Sequence, residues 1–437
     1  MEQNDNVQDL GSVEVASASL NFADKRERSV NASAERVKIS ASNGNSFNVS
    51  DNNKITLVIA ANQQNSFLDM MSTYLKLTIK NSHGANIKLD GNRGGYGLFK
   101  QVEVLSGSSV ISQINDYDCV IDQMAAISLN NEYRAGFGFT TQGLSTSVTA
   151  ETGEDIQNGA ERVLCLPLYG LPLYQEKLVP LFGRSEIRIN LYLNAPARAF
   201  KAAAAIANTA VTVESPELVA YQVRVNNDVM DDLFDENGGV FEIMTQDIQT
   251  IPQSVAVADR SLVSNLGFSF SSLNKITFGY YPTTLSTVTT VSSNRDKRNL
   301  TEFNLLVNGS KYPKNPVQVS TNAAEAMMEL AIANKAMADT KFEPSIDPDL
   351  YILQAAGAAG AADNSVGQFV ASLDLEALRE HSDTSLYSGL STVGATTALQ
   401  QTFNADGNTT DTLVVVGYFE KSIILDMNGS QTFRISQ

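Results

Sequence analysis

The chain has 437 residues, 43% of them hydrophobic, with a net charge of −17 and a pI near 4.6. That is apolar material for two or three globular cores, and the acid excess argues against a broad duplex-DNA-gripping face while leaving room for a local basic patch. Cysteine is limited to Cys119 and Cys165 and histidine to His83 and His381, without CxxC or HxxxH spacing, which argues against a zinc site and rules out a disulfide framework.

Two free thiols are therefore expected, with a single Cys119–Cys165 bond left open. The opening MEQNDNVQDLGSVEV has no basic start and no apolar core, so no secretory signal is expected. An apolar run of about eighteen residues, the length of a membrane span, is not found.

In chain order, residues 1–40 read as a flexible N-terminal arm: polar, aperiodic and carrying the mixed-charge run DKRER at 24–28. Strand signals begin with ITLVIA (55–60) and TYLKLTIKN (73–81). In the second, Leu75, Leu77 and Ile79 alternate with Tyr74, Lys76, Thr78 and Lys80, the pattern of a half-buried antiparallel strand. GNRGGYG (91–97) reads as a loop and LFKQVEVL (98–105) as the next strand. A Ser-Gly turn leads to VISQI. The period then changes: Tyr117, Val120, Ile121, Met124 and Ile127 recur at helical spacing, with Asn115 or Asp116 placed to cap the first turn. A polar loop follows over 135–160. VLCLPL (163–168), KLVPL (177–181), the strongly alternating SEIRINLYLN (185–194) and ELVAYQVRV (217–225) return to strand, with the low-complexity insert KAAAAIANTA at 201–210.

NNDVMDDLFDENGG (226–239), rich in acids and turn formers, reads as a boundary with a short helix. Beyond it the programme repeats. VFEIMTQDIQTIP (240–252) and the two strands within 261–282 lead to FNLLV, an Asn-Gly turn and NPVQV. A helix is expected over 322–337, with Asn322 and Glu325 as a capping pair. VGQFVASLDL (366–375), ALQQTF (398–403) and TLVVVGYFEKSIILDM (412–427) close the chain. Two hairpins, each followed by a helix, thus stand about two hundred residues apart, Gly107 against Gly309. The expected division is an arm at 1–40, a first domain at 41–230, a linker at 231–239 and a second domain at 240–437. Antiparallel strands without βα alternation imply sandwiches, and long loops are left over to carry function by contact.

Catalytic chemistry is not legible. GNRGGYG precedes a strand rather than a helix and lacks the Lys-Ser/Thr of a phosphate loop. The acids Asp228, Asp231, Asp232, Asp235 and Glu236 lack the alternate spacing of a calcium loop. Neither histidine lies near a recognisable nucleophile. No cofactor, metal or small-molecule substrate is expected.

The order of signals resembles the double jelly-roll major capsid proteins of icosahedral double-stranded DNA viruses: tailless membrane-containing phages, adenoviruses, virophages and polinton-like viruses. The resemblance spans about residues 40–437 and is carried by FLDMMSTYLKLTIKN, LFKQVEVLSGSSVISQINDYDCVIDQM, LPLYGLPLYQEKLVPLFGRSEIRINLYL, SLVSNLGFSFSSLNKITFGYYPTT and TEFNLLVNGSKYP with NAAEAMMEL. It implies an all-β fold with short helices, two tandem eight-stranded antiparallel jelly rolls, and no enzyme activity. It also implies a homotrimer forming a pseudo-hexagonal capsomer that meets neighbouring capsomers, penton and minor capsid proteins in a virion shell. The arm would lie inside, where Lys25, Arg26, Arg28, Arg36 and Lys38 would touch minor capsid proteins, an inner membrane or packaged DNA. The rival readings are a β-sandwich adhesin or carbohydrate-binding surface protein, and a carbohydrate-active enzyme on a sandwich.

Overall fold

A computed structural model describes residues 32–60, 63–147, 152–288, 292–319, 322–335, 345–353, 367–377, 388–407, 409–427 and 432–436. Among the described residues, thirteen strands come from the first half of the chain: β1 (Ala32–Ser40), β2 (Ser46–Asn48), β3 (Lys54–Ile59), β4 (Ser66–Asn81), β5 (Ile87–Asp90), β6 (Phe99–Ser106), β7 (Ser109–Asn115), β8 (Thr152–Ile156), β9 (Glu161–Pro167), β10 (Val179–Pro180), β11 (Ile187–Leu193), β12 (Phe200–Ala202) and β13 (Val211–Val225). Nine come from the second half: β14 (Val240–Val255), β15 (Ser261–Asn265), β16 (Leu273–Pro282), β17 (Leu300–Val307), β18 (Ser310–Gln318), β19 (Ala371–Asp374), β20 (Thr397–Phe403), β21 (Asp411–Asp426) and β22 (Thr432–Ser436).

The first half builds one sheet in the order β1-β13-β4-β10, with β9 sharing the edge of β4 beside β10, and a facing sheet in the order β3-β11-β6-β7. The second half builds β14-β21-β16-β19 and β15-β20-β17-β18. Counting β9 and β10 as one split strand, both halves interleave their eight strands identically. The first, eighth, third and sixth make one sheet, and the second, seventh, fourth and fifth make the other. Every named pairing is antiparallel. This is a jelly roll built twice. The strands that gave the clearest alternation are the ones whose inner faces close the cores. Leu75, Leu77 and Ile79 of β4 and Ile187, Ile189, Leu191 and Leu193 of β11 are buried together. Each such side chain contributes about 1.5–3 kcal/mol by leaving water.

The two hairpins differ in turn but not in corner. Gly107 alone has positive φ in the Ser106–Ser109 turn, as a type II′ turn requires. Asn308 and Gly309 both have positive φ, as in type I′. After each hairpin the chain turns into a helix, Tyr117–Ser128 in one case and Ala324–Ala333 in the other. Both corners are made by a left-handed residue, Asp116 at φ 45° and Ala323 at φ 50°. This corrects the capping expectation. Asp116 stands at the N-cap, yet its side chain makes no capping bond, because the corner is tied by the backbone, Cys119 N donating to Asp116 O at 2.9 Å. Ala323, not Asn322, holds the second N-cap, and Glu325 accepts from Gln318 N at 3.1 Å instead. Pro313 and Pro316 are tolerated because β18 lies at the edge of its sheet.

Three other expectations change. Residues 32–40, read as the end of the arm, form β1 along residues 217–225 of β13. Most of β1 is exposed, so no burial signal marks it, and its stability comes from ladder hydrogen bonds to a distant strand. The boundary segment carries the short helix expected there, Asn227–Glu236, but it packs into the molecule instead of standing as a solvated linker: Met230 is buried against Phe67, Phe182, Val225 and Leu425, with Val229, Leu233 and Phe234 packed around them. Its acids face solvent. Finally, β22 adds to β21 beyond the end of β16, a short strand that no sequence pattern announced.

One core position is poorly matched chemically. Gln401 points inward on β20 with no exposed surface, and both polar atoms of its amide lack a hydrogen-bond partner. Replacing Gln401 with methionine removes that penalty at nearly constant volume. The variant is expected to be more stable by about 1–3 kcal/mol in chemical denaturation.

Candidate functional site: the buried seam between the two rolls

The β7 edge of the first roll and the helix that follows it pack against the outer face of the β14-β21-β16 sheet. The apolar part is shared. Val120, Ile121, Ile111 and Ile114 belong to one buried cluster with Ile243, Ile248, Tyr281, Val414, Val416 and Tyr418. Polar links register the two rolls along this line. Ser112 Oγ donates to Asp247 Oδ1 at 2.6 Å, and Thr250 Oγ1 donates to the carbonyl of Asn115 at 2.9 Å. Thr277 Oγ1 donates to Gln123 Oε1 at 2.7 Å, while Gln123 Nε2 donates to Val414 O at 3.3 Å. The Tyr281 hydroxyl donates to Cys119 O at 3.2 Å. Lys421, almost fully buried, pairs with Asp247 at 2.7 Å and also donates to the carbonyl of Ile111.

The densest part is ionic. Gly94, at φ 52°, lets the chain turn tightly after Arg93, and a turn of 3-10 helix over Gly94–Leu98 buries the whole segment. Arg93 has no exposed surface. Its guanidinium pairs with Asp118, donates to Ser292 O at 2.9 Å and lies 5.1 Å from the centroid of the Tyr281 ring. Asp118 also takes Arg198 at 3.2 Å. One helical turn on, Asp122 stands between Arg295 at 3.4 Å and Arg93 at 3.9 Å. Asp90 accepts from Ser293 N at 3.1 Å, and Arg134 donates to Asn92 Oδ1 at 3.1 Å. The loop after β16 thus brings Ser292, Ser293 and Arg295 of the second roll into a cluster otherwise built from the first.

The electrostatics follow from burial. It penalises the Arg93 guanidinium, but Cys119 and the carboxylates of Asp118, Asp122 and Asp90 outweigh it and hold the charge firmly. Burial raises Asp122 above the ordinary carboxylate range, with Arg295 and Arg93 pulling the other way. Arg134 is pushed down to about 10 by burial. The Cys119 thiol, raised to about 12 by burial and then by Asp118, is inert as a nucleophile. Cys119 and Cys165 are both free.

Only part of the expected inner contact arm falls within the described residues. Lys25, Arg26 and Arg28 lie outside the described residues, as does His381. Arg36 and Lys38 are on β1, where Arg36 donates to the Tyr74 hydroxyl at 3.0 Å and Lys38 pairs with Glu217 at 3.4 Å. His83 sits in a turn, its backbone N donating to Asn81 Oδ1 at 2.9 Å. Among the described residues no group of three His, Cys, Asp or Glu side chains is placed to hold a metal, and no helix is long and apolar enough to cross a membrane. What the sequence reading missed is Arg93, Asp118, Asp122 and Arg295. The available signal was four glycines around an arginine, and charges on a helix otherwise patterned for a core.

No protein-family model matches the chain, and no curated protein matches it in sequence. Solved structures do match. A quasi-atomic model of the PBCV-1 virus capsid aligns with a TM-score of 0.63 at 11% identity, covering 95% of this chain and 100% of that one. The Faustovirus major capsid protein aligns at 0.60 and 8% identity over 92% of each chain. The mavirus major capsid protein aligns at 0.53 and 12% identity, covering 97% of this chain and 95% of that one. At such identities the likeness is one of fold: this chain has the paired jelly-roll architecture of those proteins across nearly its whole length.

Proposed function

We propose that the chain is the major capsid protein of an icosahedral virion, a brick made of two fused jelly rolls. The observation that carries the reading is the identical strand interleaving of the two halves, joined by a seam buried enough to fix their relative orientation. Three copies would present six similar rolls around one axis and so tile a near-hexagonal lattice with repeated contacts. The division into an arm at 1–40, rolls at 41–230 and 240–437 and a linker at 231–239 belongs to this reading, with β1 extending the first roll into the arm's last residues. So do the homotrimer, the contacts with neighbouring capsomers, penton and minor capsid proteins, the virion location and the absence of catalysis. Lys25, Arg26 and Arg28 would face minor capsid proteins, an inner membrane or packaged DNA. Arg36 and Lys38 would contribute only from the face of β1. No observation favours the adhesin or carbohydrate-binding alternative.

Native mass measurement of the purified chain, with negative-stain imaging of the same sample, tests this. The expected result is three copies in a six-cornered particle, or larger shells. A stable monomer that binds glycans overturns it.

A further inference from the structure

The helix Ala324–Ala333 packs against β19, the edge strand of the β14-β21-β16-β19 sheet. It ends over Lys275 of β16. In the ladder, Lys275 stands opposite Tyr418 of β21 on one side and Asp374 of β19 on the other. Its Nζ lies 4.7 Å from the centroid of the Tyr418 ring. The amine hydrogen-bonds an amide: Nζ donates to Asn334 Oδ1 at 2.6 Å. Asn334 is the C-cap residue of the helix, and its Nδ2 is held by Leu330 O at 2.8 Å. Glu376 lies just past the end of β19, where its backbone N donates to Asp374 Oδ1 at 3.1 Å. It pairs with Lys335 at 4.0 Å.

We propose that Lys275 and Asn334 are the two ends of an intramolecular isopeptide bond. A small rotation of the Asn334 amide brings Nζ over Cγ. The Nζ lone pair forms the new C–N bond, and the Cγ–Nδ2 bond breaks. The proton that Nζ gives up passes through the Glu376 carboxyl to Nδ2, which leaves as ammonia. An amide replaces an amide, so no oxidant, cofactor or energy source is needed. The reaction needs an uncharged amine and an acid that holds a proton. Burial pushes Lys275 down to about 8, with Lys335 adding to the fall and Glu376 and Asp374 opposing it. Burial raises Glu376, against the pull of Lys335 and Lys275 and with Asp374 adding to the rise. The bond would staple the end of the helix to β16 and close the chain between residues 275 and 334. This inference does not rest on the capsid reading.

The test is the mass of the full chain, purified and denatured, followed by peptide mapping. The expected mass is one ammonia below that of the sequence, with a branched peptide joining Lys275 to Asn334. Lys275→Arg and Asn334→Ala each restore the unreacted mass. Glu376→Gln leaves both partners in place and is expected to remain unlinked. A wild-type chain at full mass, with trypsin cutting after Lys275, overturns the proposal. So does an ammonia lost elsewhere, as at Asn308-Gly309, where an asparagine can close on its own backbone and Lys275 stays free.

Discussion

Replacing Asp118 with alanine is expected to destabilise the protein by about 3–5 kcal/mol in chemical denaturation, the range for breaking a buried ion pair from one side. The carboxylate serves two guanidinium groups, Arg93 at the centre of the seam and the partly exposed Arg198. Its loss leaves Arg93 with no exposed surface and only Asp122, at 3.9 Å, as carboxylate partner. The penalty is desolvation without compensation, so it should persist at high salt, unlike that of an exposed pair such as Lys80–Glu161. Removing Arg93 and Asp118 together, as Arg93→Met with Asp118→Leu, should recover a large part of the loss. That pattern would mark the cluster as a device of geometry rather than of net stability. If Asp118→Ala were nearly neutral, the seam would not be dry, and its claim to fix the two rolls would fail.

The second large effect is expected at Gly94. Its φ of 52° lies where an L residue costs about 1–2 kcal/mol, and an added Cβ would stand against the backbone oxygen of Gln142, which cannot swing aside. Gly159 has φ 77° and open space around it, which makes it the matched control. Gly159→Ala should show the conformational penalty alone. Gly94→Ala should exceed it, because the segment must shift and carry Arg93 off its partners. Equal melting shifts for the two variants would show that the close approach at Gly94 has no energetic weight.

How much of this was legible can be judged residue by residue. Period-two alternation in β4 and β11 is a local signal, because each inward side chain is apolar on its own account. The Ser-Gly and Asn-Gly turns are equally local, since positive φ selects those residues. Together they placed both sandwiches and the repeat. The seam is not local. Arg93 reads as a loop residue until the fold brings Asp118 and Ser292 to it, and no pattern near any of them states the pairing. β1 was read as arm because it has little burial of its own and its partner lies at the far end of the roll. Asp116 and Ala323 show a third kind of miss. A left-handed corner is usually marked by glycine, and here packing at the strand-to-helix junction imposes it on residues that give no warning.

The pairing of first strand with last has a kinetic consequence. Ala32 is matched with Val225, and Val240 with Asp426, so neither of these two sheets can close until its roll has been synthesised to the end. Contacts so distant in sequence put each roll among slow, non-local folders on the millisecond-to-second scale, with unpaired edges exposed in the interval. At ribosomal speeds the nascent first roll waits, half-zipped, for its eighth strand. Its seam surface waits longer still, until the second roll has emerged to cover it.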